Sequence, residues 1–412
     1  MTSQQPHDRT TPAPAPARSG GPQNRMLLLA TIGFLVNFWA WALIGPLGAT
    51  YGEDFSLSAF QVSVIVAVPV IVGSLGRIPV GALTDRFGAR VMFPAVSLLT
   101  IVPVLFTGLV ARNFAMLILG GFFLGLGGTA FAIGVPFVNR WFAPENRGTA
   151  LGIFGMGTAG TAVASFTTVG IAENFGRPAP FILVAVLLAL YAVLARALVR
   201  DAPGLTPPTG SLLARTLATL KVRATVQLAL IYALGFGGFV AFSVYLPAYL
   251  VNAYGLDRAD AALRTAGFVV LAVIARPVGG WLSDRFHPIP VLVVNFVITA
   301  AMAALAALEL ELLPAGTVAF LTMAIMLGSA SGACFALVAR LAPADKVGSV
   351  TGIVGAAGGL GGFFPPLVMG AFYTQTGSYF YGLILLALTA LAVAAFCWWP
   401  VRRAAATRPV AA

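Results

Sequence analysis

Residues 77–87 read "RIPVGALTDRF" and residues 276–286 read "RPVGGWLSDRF". Aligned without gaps, Arg77 matches Arg276, Gly81 matches Gly280, Leu83 matches Leu282, and Asp85-Arg86-Phe87 match Asp284-Arg285-Phe286. A second pair follows at nearly the same offset, "GTALGIFG" from Gly148 and "GSVTGIVG" from Gly348. The chain therefore holds two copies of one unit. In membrane carriers made of such repeats, the ligand site lies near the midplane between them.

Composition supplies the medium. Hydrophobic residues make up 59% of the chain and charged residues 9%, with a mean hydropathy of +0.94. A soluble domain carries about 25% charged residues, so this chain cannot cover itself with a polar surface. Apolar runs recur from Met26 to Pro400, each of about 20 residues and long enough to cross a hydrocarbon core of roughly 30 Å. Short alternating segments of a closed barrel are absent, which leaves an all-α membrane protein. Twelve spans are expected, at 26–50, 60–83, 90–111, 114–139, 148–171, 179–199, 224–252, 262–283, 289–309, 315–339, 348–373 and 378–400.

The segment "RDAPGLTPPTGSLLARTLATLKVR", Arg200 to Arg223, is the one long polar connection. It divides the chain into a six-helix bundle over 25–200, a linker over 201–223 and a second six-helix bundle over 224–401. Residues 1–24, rich in Pro, Thr and Ala, read as a disordered tail without the apolar core of a cleaved leader, and 402–412 as a second tail. Cys334 and Cys397 both lie in apolar runs and read as packing residues. No disulfide, metal or cofactor pattern stands out.

The net charge of +11 is an orientation signal. Arg86, Arg90, Arg140, Arg147, Arg200, Arg215, Lys221, Arg223, Arg285, Arg340, Lys346 and the tail arginines fall on one side of the expected spans. Only Arg112, Arg177, Arg258 and Arg264 fall on the other, beside acids such as Glu53, Asp54 and Glu309. The positive-inside rule then places both termini in the cytoplasm. This distribution argues against a nucleic-acid partner; bilayer lipid is the expected surrounding, and a monomer the expected state.

Arg77 stands eight residues before Asp85, a boundary residue, and Arg276 stands at the same distance from Asp284. At 1.5 Å per residue that is roughly 12 Å of helix. An arginine so deep costs on the order of 2.5–3.5 kcal/mol on insertion scales. Snorkelling or pairing with a buried acid would relieve it. Snorkelling is strained from this depth, and no acid lies inside a span: Asp85, Asp284, Glu53, Glu145, Glu173, Glu309 and Asp345 fall at ends or in loops. A partner from outside remains. Two inward-facing guanidinium forks suit a small planar oxyanion.

The loop pattern Gly81-x-x-x-Asp85-Arg86-x-Gly88-x-Arg90 resembles the motif between the second and third helices of the major facilitator superfamily. The resemblance implies that it locks helix ends together at the cytoplasmic face. The second copy, Gly280, Asp284 and Arg285, has His287-Pro288 where the later glycine and arginine would follow, so a weaker lock is expected there.

More specifically, the chain resembles the nitrate/nitrite porters of that superfamily from about Asn37 to Tyr381. The marks are "NFWAWALIGPLG", "AFQVSVIVAVPVIVGSLGRIPVGALTDRFGAR", "GTALGIFGMGTAG", "GFGGFVAFSVYLPAYL", "ARPVGGWLSDRF" and "GIVGAAGGLGGFFPP". The resemblance implies that Arg77 and Arg276 bind the anion, that Phe131 and Phe236 sandwich it, and that Tyr232 hydrogen-bonds near it. Taken alone, the two phenylalanines read as packing residues. Gly152, Gly155, Gly157, Gly160, Gly352, Gly355, Gly358, Gly359, Gly361 and Gly362 are expected to let helices approach closely and slide. Two positions depart from the family: Thr158 stands where an asparagine is common, and Gly355 where some members place a serine. Both leave nitrate-versus-nitrite preference open.

The expectation is thus a secondary transporter of nitrate, nitrite or both in the bacterial inner membrane, working by alternating access and exchange. Proton-coupled symport, or exchange of formate, oxalate or a monocarboxylate, are the alternatives. No folded cytoplasmic domain supports a sensor, and no nucleophile–base pair, metal cluster or phosphate loop supports an enzyme. The triplet Asn139-Arg140-Trp141, ending the fourth span, and Trp281 beside Arg276 read either as interface anchors or as ends of gates.

Overall fold

In the computed structural model the described residues are 21–57, 59–202, 218–342 and 346–401. Most of both expected tails and of the linker lies outside them. Eleven helices are long and apolar enough to cross a bilayer, and Pro22–Trp41 precedes them, giving twelve spans among the described residues. No strand occurs among those residues.

The second span comes in two pieces, Ala59–Leu75 and Arg77–Phe87. The third is Ala89–Leu105. The fourth runs Phe114–Leu124, a 3₁₀ stretch Gly125–Ala130, then Phe131–Trp141. The fifth runs Arg147–Gly155, a 3₁₀ turn Met156–Thr158, then Ala159–Phe175. The sixth is Ala179–Leu198. The seventh to twelfth are Arg223–Tyr254, Arg258–Phe286, Pro288–Ala307, Thr317–Leu341, Val347–Thr376 and Phe380–Phe396.

Two details differ from the expected limits. The first helix starts at Pro22, inside the stretch expected to be tail, because proline suits the first helical turn, where an N–H has no partner anyway. It stops at Trp41, well before residue 50, and a run of turns leads to the short helix Gly48–Asp54. Gly45-Pro46 explains the stop, since a residue before proline is pushed out of the helical region. The turn bonds Gly45 N–H to Ala42 O and Leu47 N–H to Ile44 O replace the helical ladder.

Spans 3 and 6 pack together, as do 2 and 4 and 1 and 5; in the second half 7 packs on 11, 8 on 10, and 9 on 10 and 12. Between the halves the principal contacts are span 5 with span 8 and span 2 with span 11. The repeats thus meet along two matching seams. Large apolar side chains on the outer spans, such as Leu98, Leu99, Leu190, Val193 and Leu388, are exposed toward what would be lipid.

Candidate functional site

Arg77 opens the lower piece of span 2, directly after the single turn residue Gly76, whose N–H still bonds the Val72 carbonyl. Its Nε donates to the Gly128 carbonyl at 3.1 Å and its Nη1 to the Gly355 carbonyl at 2.7 Å. Arg276 lies within span 8, and its Nη1 donates to the Gly155 carbonyl at 3.1 Å. Its Nε and Nη2 are buried with no hydrogen-bond partner among the described residues. Both side chains are only 2% exposed. Neither pairs with a carboxylate among the described residues; the pairs seen there include Asp85–Arg140, Asp54–Arg177 and Asp260–Arg264.

The bonds run crosswise. Arg77 of the first half reaches a carbonyl of span 11, and Arg276 of the second half reaches a carbonyl of span 5. The glycine-rich spans make this possible: a Cβ on Gly355 would sit 3.0 Å from Arg77 Cδ, and one on Gly155 would sit 3.3 Å from Arg276 Cδ. Carbonyl dipoles solvate the guanidinium groups without neutralising them.

Aromatic rings complete the enclosure. Both cations lie over Phe236, with Arg77 Cζ 5.5 Å and Arg276 Cζ 5.2 Å from its centroid. Arg77 also lies over Phe131 and Phe38, and Arg276 over Phe239. Such contacts stabilise a desolvated cation by about 2 kcal/mol. Tyr232 stacks parallel on Phe236 at 5.0 Å and on Phe131 at 6.2 Å. Phe335 stands edge-on to both Phe131 and Tyr232.

The structure thus brings Arg77, Arg276, Phe131, Tyr232 and Phe236 together. Thr158 is placed differently. Its hydroxyl donates to the Gly155 carbonyl at 2.9 Å, the same oxygen that accepts from Arg276, so it acts on the arginine's acceptor. Phe38, Phe239 and Phe335 went unread in the sequence. One signal was available: Gly128-Thr129-Ala130-Phe131-Ala132 returns as Gly332-Ala333-Cys334-Phe335-Ala336, which makes Phe335 the repeat mate of Phe131.

At one end of the bundle two carboxylates cross the same seams. Asp85 accepts from Gly348 N–H, Ser349 N–H and the Ser349 hydroxyl at 3.0–3.1 Å, and pairs with Arg140 Nη2 at 3.3 Å. Asp284 accepts from Gly148 N–H, Thr149 N–H and the Thr149 hydroxyl at 2.7–2.8 Å. Each carboxylate therefore sits at the N-terminus of a helix from the other half, where the helix dipole favours an anion. Among the described residues Asp284 has no ion-pair partner; Arg340 donates to the Ser283 carbonyl instead.

Gly81 and Gly280 face the main-chain carbonyls of Gly348 and Gly148 across these seams, and a Cβ has no room at either. Arg86, Arg90 and Arg285 point outward and do not join the carboxylate contacts. Gly88 has φ +77° and backs onto Asp201, whose carboxylate accepts Ala89 N–H at 2.7 Å. Burial lifts the Asp201 carboxyl above its ordinary range, against the pull of the Ala89 and Arg90 N–H groups and Arg140. His287 fills the equivalent place with φ +72° and caps its own helix by accepting Ile289 N–H. Burial and then Arg340 hold its imidazole below the usual value.

The ten span-5 and span-11 glycines divide into two groups. Gly152, Gly155, Gly352, Gly355 and Gly359 face the other half, against Pro277, Arg276, Ile78, Arg77 and Ser74. Gly157 and Gly160 face span 1, while Gly358, Gly361 and Gly362 face span 7, each within its own half. Sliding between halves can involve only the first group.

A two-unit, twelve-span helical fold with paired buried cations between the units defines a membrane carrier. The family model described as Major Facilitator Superfamily matches residues 30–364 and 228–412. The chain is 50% identical over 370 residues to the probable nitrate/nitrite transporter NarK2 of Mycobacterium tuberculosis, covering 89% of this chain and 93% of that one. It is 38% identical over 380 residues to the nitrite extrusion protein of Bacillus subtilis, covering 92% and 94%. The human organic anion transporter MFSD10 shares the fold with a TM-score of 0.76 at 13% identity, over 92% of this chain and 100% of that one. The chain belongs to the nitrate/nitrite porter family of the major facilitator superfamily. It is a multi-pass membrane transporter and not an enzyme.

Proposed function

We propose that this transporter carries nitrate and nitrite between Arg77 and Arg276 by alternating access, exchanging one ion for the other. The observation behind the reading is the pair of buried guanidinium groups that share the Phe236 ring and meet no carboxylate among the described residues. A flat monoanion of nitrate's size suits a guanidinium fork beside parallel rings. The names of the relatives point to the same ions.

Exchange follows from electrostatics. Without an anion, two like charges share a low-dielectric enclosure, and closing around them is costly. Bound anion removes that cost, so reorientation favours the loaded carrier. Asp85 and Asp284 hold the seams shut at one end, and the positive-inside rule supports reading that end, with both termini, as cytoplasmic.

The test is counterflow in proteoliposomes loaded with nitrite and given labelled nitrate outside, with the pH gradient varied. Rapid uptake that needs internal nitrite and ignores the gradient is expected. Uptake into empty vesicles driven by a proton gradient would overturn exchange in favour of symport. Absence of uptake of either ion would overturn the substrate.

A further inference from the structure

Four buried polar atoms lie on the Asp85 side of the arginine pair without a hydrogen-bond partner among the described residues: Asn139 Oδ1, Thr225 Oγ1, Gln227 Oε1 and Thr351 Oγ1. They belong to spans 4, 7 and 11, the three spans that also carry Phe131, Tyr232 and Gly355. Thr351 is one helical turn from Gly348, which holds Asp85, and one turn from Gly355, which holds Arg77. Asn139 precedes Arg140, the partner of Asp85, and follows Phe131 by two turns. Spans 7 and 11 run in the same direction, and Gly358 packs on Tyr232. Thr225 and Thr351 each stand seven residues back from that contact, so the register sets them at one level. All four residues fall at the level between the anion site and the carboxylate contacts; Gln227, five residues from Tyr232, stands on another face of span 7, the side of Leu230 and Leu234.

Hydroxyls in helices ordinarily satisfy themselves on the carbonyl four residues earlier. Thr84, Thr100, Ser283 and Ser331 do so here, at 2.7–2.9 Å. Thr351 has the Val347 carbonyl at that spacing and does not use it. Buried polar atoms without partners are costly and few in native proteins, and polar side chains inside a membrane bundle face water-filled routes. A cluster of them in one layer is explained if that layer is wet in another conformation.

Resting on the transport reading above, we infer that Asn139, Thr225 and Thr351 line the inner half-channel through which the anion leaves once the Asp85 and Asp284 contacts part. The layer is closed to bulk solvent while those contacts are made, its residues at most 6% exposed, and becomes hydrated when they open. Hydroxyl and amide groups offer a passing anion neutral hydrogen bonds, without a fixed cation that would hold it. Asn139 is thereby a wall of the exit route, next to a gate residue.

Thr351→Cys tests this in inside-out membrane vesicles with a charged, membrane-impermeant methanethiosulfonate. The two native cysteines are buried, so the unaltered chain supplies the blank. Labelling is expected to rise several-fold when nitrate and nitrite are present on opposite sides and drive turnover. Asn139→Cys serves as the second variant should the first fail to insert, with the same expectation. Equal labelling with and without the ions, in vesicles that show normal counterflow, would overturn the half-channel and leave the transport reading standing. Failure of counterflow in the unaltered protein would overturn both.

Discussion

Arg77 and Arg276 occupy matching places in the two repeats, yet the halves hold them differently. Arg77 follows a one-residue turn in its helix and is fixed by two carbonyls from two other spans. Arg276 sits inside an unbroken helix of 29 residues, takes one carbonyl and keeps two buried donor nitrogens, Nε and Nη2, without a partner among the described residues. The same contrast extends to the scaffolds. Spans 2, 4 and 5 of the first half are interrupted at Gly76, Gly125–Ala130 and Met156–Thr158, whereas spans 7, 8, 10 and 11 each run as one helix. Stretches of 3₁₀ within helices bond less well and mark hinges. Duplication preserved where the charges stand; it did not preserve the helical continuity of what carries them.

The broadest way to break the comparison is to replace each fork by a point charge. Arg77→Lys and Arg276→Lys should each lower transport by about 100-fold, the size of a lost bidentate charge-assisted contact, with normal insertion into the membrane. Near-normal uptake in both variants would remove the paired site; a large loss in only one would show that the halves divide the work.

The carboxylates sharpen it. Asp85 is 1% exposed and paired with Arg140, so Asp85→Asn breaks a buried ion pair and should destabilise the closed seam by about 3 kcal/mol. Asp284→Asn forfeits charge-assisted hydrogen bonds only, a loss of roughly 1–2 kcal/mol. Thermal midpoints in detergent, with inner-face cysteine accessibility, read the difference. Equal effects would show that Arg140 contributes nothing to the first seam.

Much of this was legible in sequence because charges in a membrane are few and their spacing is conspicuous: the arginines, the carboxylates and the glycine runs. The aim of Thr158 was not legible. Whether a hydroxyl faces an anion or a carbonyl three residues back depends on a local 3₁₀ turn, which composition does not reveal. Phe38 and Phe239 look like any core aromatic until the folded chain sets a guanidinium over them. The end of the first span at Trp41 was hidden because the apolar run continues past the helix.

The smallest expected effect concerns Asp201, which has no described counterpart in the second half. Its carboxyl is raised from 3.8 by burial, so the folded state binds its proton more readily than the unfolded one. The stabilising contribution of that proton is complete below 3.8 and is lost as pH rises through the raised value. Relative to Asp201→Asn, the unaltered protein should therefore gain thermal stability on acidification across that window, a small effect because the carboxyl is partly solvated. A difference that stays flat with pH would mean that the Ala89 and Arg90 N–H groups fully compensate the buried charge.

At the two seams, Gly81 meets the Gly348 carbonyl and Gly280 meets the Gly148 carbonyl, main chain against main chain. A joint of that kind carries no side-chain vocabulary. Nothing in it must be rewritten when pocket residues change, because every amino acid presents the same carbonyl. A lineage built on this chassis can acquire a new cargo by altering the rings and hydroxyls around the arginines while inheriting the joint intact. The cost is that the four glycines themselves have no neighbouring variants to drift through.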